Sequence, residues 1–254
     1  MSDIIKSIAQ GVLTITINRA EKRNSITAEM YATFEAALSE AENDREVRVV
    51  LITGSEKVFS AGNDLGDFIH NPPASLDSPT WKFVRRLAAF PKPVIAAVCG
   101  AAIGIGMTML LHCDLVFAGE NAKFSVPFVD LGLCPEAASS LLLPLRVGHQ
   151  RASWALLSCE AFDAETAREM GLVNRVLPVE HVFDFANQEA ARLVAKPIES
   201  LVETKRLMKA MYGDQISARV DEEAVTFAKM LAGDAAKEAI ASFQEKRKPD
   251  FSRF

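Results

Sequence analysis

The 254-residue chain lacks the marks of several large classes of protein. Its N-terminus, MSDIIKS, carries neither a secretory apolar stretch nor an Arg-rich amphipathic one, so a cytoplasmic location is expected. Positive charge is not in excess: 28 Lys and Arg stand against 33 Asp and Glu, and the net charge of -5 argues against general nucleic-acid binding. The 4 cysteines, Cys99, Cys113, Cys134 and Cys159, form no C-x-x-C pair and read as small core residues in a reducing compartment. His70, His112, His149 and His181 show no metal-ligand spacing, and His112 reads as a satisfied buried imidazole or a helix C-terminal cap. G-x-S-x-G, P-loop and H-E-x-x-H motifs are all absent, so Ser/His/Asp hydrolysis, ATP chemistry and zinc catalysis lose their usual signatures.

What is present centres on residues 92–114, KPVIAAVCGAAIGIGMTMLLHCD. Val94 to Val98 reads as a buried strand and Ile103 to His112 as a buried helix, with a small-residue turn between them. Glycines there let the backbone approach a ligand, and the free N–H groups of a helix start suit a negatively charged oxygen. A membrane span is disfavoured by the central glycines, and a nucleotide fingerprint by Met109 where the third glycine belongs. Plain core remains the alternative for this stretch alone.

Along the chain, residues 3–8 and 12–19 read as a hairpin across Gln10-Gly11, and Thr27 as the N-cap of a helix to Asn43. Val47 to Thr53 is a further strand, giving a β-β-α-β opening. FSAGNDL (59–65) precedes a short helix, and the loop from Asn71 to Pro79 is a lid or a surface excursion. Trp81 to Phe90 is helical, Leu115 to Ala118 and Ala122 to Val126 are strands, and Pro135-Glu136 opens an apolar helix. Val147 to Leu157 and an acidic stretch from Phe162 to Gly171 follow as helices, then a strand from Val173 to Leu177. Beyond Glu180 the pattern is helical, broken near Pro197, Gly213 and Gly233. The division expected is a mixed α/β core over 1–180 and a helical region over 181–254, whose amphipathic helices hint at subunit contacts.

Two loops, around Asn63 and around Ile105, share small residues followed by a helix start. Aimed at one point they would form an oxyanion hole. Glu136, among apolar neighbours, is the candidate base; the alternative is that it merely complements a helix dipole. Asp64 carries the same ambiguity, and Asp130 reads as a turn residue.

The motifs NRAEKRNSI (18–26), FSAGNDL (59–65), the 92–114 run ending in Cys113-Asp114, AKFSVPFVDLGLCPE (122–136), A-x-E-M-G-L-V-N (167–174) and F-x-E-K-R-K-P-x-F (243–251) resemble the enoyl-CoA hydratase/isomerase, or crotonase, superfamily over essentially the whole chain. The resemblance implies an α/β spiral of β-β-α units, a helical C-terminal trimerisation region, and a homotrimer or hexamer. It implies an acyl-CoA thioester substrate with no metal and no cofactor beyond the coenzyme A of the substrate, and neither nucleic acid nor membrane as partner. The oxyanion donors carried over are the N–H groups of Asn63 and Ile105, the latter where glycine is commoner. The two glutamates of the hydratases fall here on Thr108 and Phe128, and Leu133-Cys134-Pro135-Glu136 is similar to the Δ3,Δ2-enoyl-CoA isomerases. Glu136 is then the single base, with hydration, decarboxylation, thioester hydrolysis or silent acyl-CoA binding as alternatives. Substrate contacts are expected from Lys22, Arg23, Ser25, Ala61, Gly62, Asp64, Leu65, Gly104, Thr108, Phe128, Leu133 and Pro135. Lys246 or Lys248 would join them from the tail of the same or a neighbouring subunit.

Overall fold

The computed structural model describes residues 2–254. β1 (Ile4–Ala9) and β2 (Val12–Ile17) form an antiparallel hairpin with Ile4 opposite Ile17. Its two-residue turn has Gln10 at φ 50° and Gly11 at φ 81°, a doubly positive geometry that matches strand twist. The Thr27 hydroxyl accepts the Met30 N–H and starts α1 (Ala28–Asn43), which buries Met30, Phe34, Ala37, Leu38 and Ala41 along one face.

From there the chain alternates between two sheets. β3 (Val49–Thr53) enters the first and β4 (Val58–Ser60) the second, and α2 (Leu65–His70) and α3 (Pro79–Ala89) lead back. β5 (Val94–Val98), β6 (Ala101–Ile103) and α4 (Ile105–Thr108) repeat that path. β7 (Leu115–Gly119) and β8 (Lys123–Ser125) begin it a third time. α5 (Ser139–Val147) and α6 (His149–Ser158) then lead to β9 (Phe162–Asp163), α7 (Ala164–Glu169) and β10 (Arg175–Leu177). The sheets run β1-β2-β3-β5-β7-β10 and β4-β6-β8-β9, with β2, β3, β5, β7 and β10 parallel in one and β4, β6 and β8 parallel in the other. Each β-β-α unit adds one strand to both sheets, which is the expected α/β spiral.

Four helices complete the chain: α8 (Val182–Val194), α9 (Ile198–Ala210), α10 (Gly213–Leu231) and α11 (Asp234–Gln244). α8 lays Val182, Ala186 and Ala190 over Val49, Leu51, Ile95 and Phe117 on the outer face of the larger sheet. The opposite face meets the main core, to which α10 and α11 contribute Val220, Phe227 and Ala236. A parallel sheet covered on both sides explains why β3 and β5 read as unbroken apolar runs.

Local expectations differ from the structure at four places. The helix expected over 103–112 is shorter, because Ile103 ends β6 and only Ile105–Thr108 is α-helical before a 3-10 turn at Met109–His112. β4 and β6 are three residues each, too short to leave an alternation in the sequence. Glu136 does not open α5: Ala137 and Ala138 take left-handed φ values of 57° and 55°, and the helix starts at Ser139. The acidic stretch from 162 begins as β9 and turns helical only after the Asp163 carboxylate accepts the Thr166 N–H.

Candidate active site

The turn after β4 is shaped by the segment 19–26 laced across it. Asn24 is fully buried, and its amide donates to the Val58 and Phe59 carbonyls at 3.0 and 3.1 Å. In return the Ser60 hydroxyl donates to the Asn24 carbonyl at 2.9 Å and accepts the Gly62 N–H at 3.1 Å. The Ile26 N–H reaches the Gly62 carbonyl and the Asp64 N–H reaches the Ile26 carbonyl, at 2.8 and 2.9 Å. Such lacing fixes where the Asn63 N–H points.

The second turn, after β6, comes up against the first. Gly62, at φ 90°, sits where a Cβ would lie 2.9 Å from the Ile103 carbonyl oxygen, and a Cβ on Gly106 would lie 2.8 Å from the Ser60 carbonyl oxygen. Only hydrogen at both positions lets the two backbones meet. Ile105 is the first residue of α4, so its N–H has no partner within the helix. Among the described residues, neither the Asn63 nor the Ile105 N–H has an acceptor.

A cleft of about 530 Å³ opens at this junction. Of the residues expected at the site, Lys22, Arg23, Ser25, Ala61, Gly62, Asn63, Asp64, Leu65, Gly104, Phe128 and Leu133 line it. Ile105, Thr108, Pro135 and Glu136 are not on its wall. Lys246 follows the end of α11 at φ 55°, is exposed, and does not line the cleft of its own chain. Its neighbour Arg247 is held by Glu238 and Glu245. Phe227, Leu231, Ile240 and Phe243 from α10 and α11 form the apolar side.

Glu136 is 2 % exposed and accepts a hydrogen bond from the Thr108 hydroxyl. Burial pushes its pKa up to about 8, with the Glu223 charge adding to the rise and the Thr108 hydroxyl opposing it. No cation pairs with it among the described residues. Tyr31, fully enclosed, donates its hydroxyl to the Asn63 side-chain carbonyl. Burial first, and the Glu136 charge second, push the Tyr31 phenol well above its ordinary value. Asp64 is a different kind of acid. Burial would raise it, but the Asp67 N–H, the Arg19 guanidinium at 2.6 Å and the Ser25 hydroxyl bring it down to about 2. A carboxylate so held caps α2 and is a poor base at neutral pH.

His112 is the buried imidazole of the two readings offered by the sequence. Burial, then the nearby Lys209, lowers its pKa to about 3, so the neutral ring donates Nε2–H to the Ala137 carbonyl at 2.8 Å. The cysteines are free thiols, with burial raising Cys113 to about 12. Tyr31, Asn24 and Arg19 escaped the sequence reading. Tyr31 stands among core positions of an amphipathic helix, and only its hydroxyl at that spacing could have drawn notice.

Comparison with known proteins identifies the family. The family model for enoyl-CoA hydratase/isomerase matches residues 7–253. The chain therefore belongs to the enoyl-CoA hydratase/isomerase, or crotonase, superfamily, whose members process acyl-CoA thioesters. It is 36% identical to the 1,2-epoxyphenylacetyl-CoA isomerase of Escherichia coli K12 over 261 residues, covering 99% of both chains. It is 34% identical over 252 residues to the 2,3-dehydroadipyl-CoA hydratase of the same organism, again covering 99% of both. Among solved structures, Pseudomonas aeruginosa OdaA superimposes with a TM-score of 0.94 at 43% identity, covering 96% of this chain and 99% of that one. No helix among the described residues is long and apolar enough to cross a membrane.

Proposed function

We propose that this enzyme is a Δ3,Δ2-enoyl-CoA isomerase working with a single base. Ionised Glu136 removes a proton from C2 of a 3-enoyl thioester, and the electrons move onto the thioester oxygen as a dienolate. The N–H groups of Asn63 and Ile105 receive that oxygen, each donor contributing about 3–4 kcal/mol to the transition state. Protonated Glu136 then delivers its proton to C4, which leaves the 2-enoyl thioester and restores the carboxylate. The Glu136 carboxyl accepts the Thr108 hydroxyl, and in this proposal its side chain rotates from there toward the substrate.

The observation that carries the reading is a buried carboxyl with no cation partner, raised to about 8 and bonded to Thr108 on the helix that Ile105 begins, together with the unpartnered N–H groups of Asn63 and Ile105. Proton transfer to and from carbon needs a base of raised basicity, and no second carboxylate is free to place a water: the resemblance puts Thr108 and Phe128 at the positions of the hydratases' glutamates, Asp64 is pinned by Arg19, and Glu223 is held by the N–H groups of Ala138 and Ser140. Lys22 and Arg23 at the cleft are suited to the phosphates of coenzyme A. No metal and no further cofactor is needed by this route, and the assembly is a trimer or a dimer of trimers built on the C-terminal helices.

Hydration is the second reading, favoured by the relative named as a hydratase. Incubation with 2-enoyl and 3-enoyl thioesters, followed by product mass, separates the two: isomerisation leaves the mass unchanged and hydration adds one water. Glu136→Gln is expected to lower the isomerisation rate by about a thousandfold or more while thioester binding persists. A rate near that of the parent would eliminate Glu136 as the base.

A further inference from the structure

Glu223 lies midway along α10, is 5 % exposed, and has no place on the wall of the cleft. Its carboxylate accepts the N–H groups of Ala138 at 2.6 Å and Ser140 at 2.9 Å, at the start of α5. The capping residue of that helix is Ala138, which has no side-chain acceptor to offer. A buried acid from a distant helix supplies the cap instead, although burying it costs desolvation. Its partners fit that cost, because backbone N–H groups at a helix start favour negative charge.

The segment capped in this way is the one that carries Glu136. Ala137 and Ala138 both hold left-handed φ values, which L residues with a Cβ adopt only under constraint. His112 grips the Ala137 carbonyl from the other side, at 2.8 Å. The loop is thus held through its N–H groups by α10 and through its carbonyl by the 3-10 turn after α4.

Charge gives the arrangement a second consequence. Glu136 and Glu223 are both buried and near enough to repel, so the pair keeps one proton more readily than none. Burial raises Glu223 as well, but the Ser140 hydroxyl, the N–H groups of Ser140 and Ala138 and the charge of Arg219 oppose that rise, whereas Glu136 has one hydroxyl to oppose its own. The other titratable groups facing the pair are Tyr31 on α1 and Cys134 on the loop, both held protonated by burial, and His112, which is neutral.

We propose that Glu223 is a positioning residue for Glu136: it fixes the loop at the start of α5 and, by carrying the negative charge of the pair, makes Glu136 the member that holds and hands over the proton. This rests on Glu136 being the base.

The infrared band of the protonated Glu136 carboxyl, assigned by its loss in Glu136→Gln, reads the coupling in the ligand-free protein without turnover. Glu223→Gln removes the charge, and the Glu136 midpoint is expected to fall by about half a pH unit or more. The kcat profile with a 3-enoyl thioester should move the same way, with KM within about twofold of the parent. Glu223→Asp keeps the charge on a shorter arm: the midpoint stays near the parent's, while the amides of Ala138 and Ser140 exchange faster and kcat falls. A Glu136 midpoint unmoved in Glu223→Gln, or moved equally by both variants, overturns the inference. If the Gln variant does not fold, unchanged amide exchange and kcat in the Asp variant overturn it. If no 3-enoyl thioester is turned over, the isomerase reading fails, and the infrared titration still decides the role of Glu223.

Discussion

A carboxyl without a cation beside it makes two properties of this enzyme run in opposite directions with pH. Glu136 holds its proton to about 8 in the folded chain, against the usual 4.5. The base must be ionised, so kcat/KM for a 3-enoyl thioester is expected to rise about tenfold per pH unit below 8 and to level above it. For stability the sign reverses. Above pH 4.5 the unfolded chain releases a proton that the folded chain retains, so stability falls as pH rises toward 8, and the full cost stands beyond it. Glu136→Gln should therefore melt higher than the parent above pH 8, the two curves converging toward pH 4.5. Equal melting temperatures at pH 9 would contradict the burial of this acid.

At the scale of elements, the proposed oxyanion site depends on the start of α4 lying against the turn after β4. Neither element is long, and their approach is set by the missing side chains at Gly62 and Gly106. Gly106→Ala would place a Cβ 2.8 Å from the Ser60 carbonyl oxygen and 2.9 Å from its Cβ, so α4 must move away. We expect a folded protein whose kcat falls by about 10–100-fold, since a displacement of roughly 1 Å at a reacting group has that effect. Circular dichroism and turnover together check it, and parental kcat would show that the Ile105 N–H is not used.

For the whole molecule, the spiral leaves the outer side of α9 uncovered. Leu207, Met208 and Met211 are 61, 66 and 73 % exposed there, an apolar ridge of the kind that marks an interface. The proposed trimer buries such surface, and sedimentation equilibrium should return three times the 27.7 kDa of one chain, or six. Met208→Glu is expected to release smaller species. A parent protein that sediments as a single chain at micromolar concentration would rule the assembly out.

Local patterning alone determined the hairpin, α1 with its Thr27 cap, β3 and β5, because period-2 and period-3.6 signals need only neighbours along the chain. The small-residue turns at Gly62 and Gly104 were legible for the same reason. What the sequence could not hold is contact between distant residues: that Ala101–Ile103 leaves the apolar run for a second sheet, that Tyr31 bonds to Asn63, and that Glu223 caps the helix after Glu136. Glu136 shows the division within one residue. Its neighbours suggested an apolar setting, but only tertiary packing removed it from the helix start, withheld any cation and set another acid beside it, and desolvation with like charge is what lifts its proton affinity.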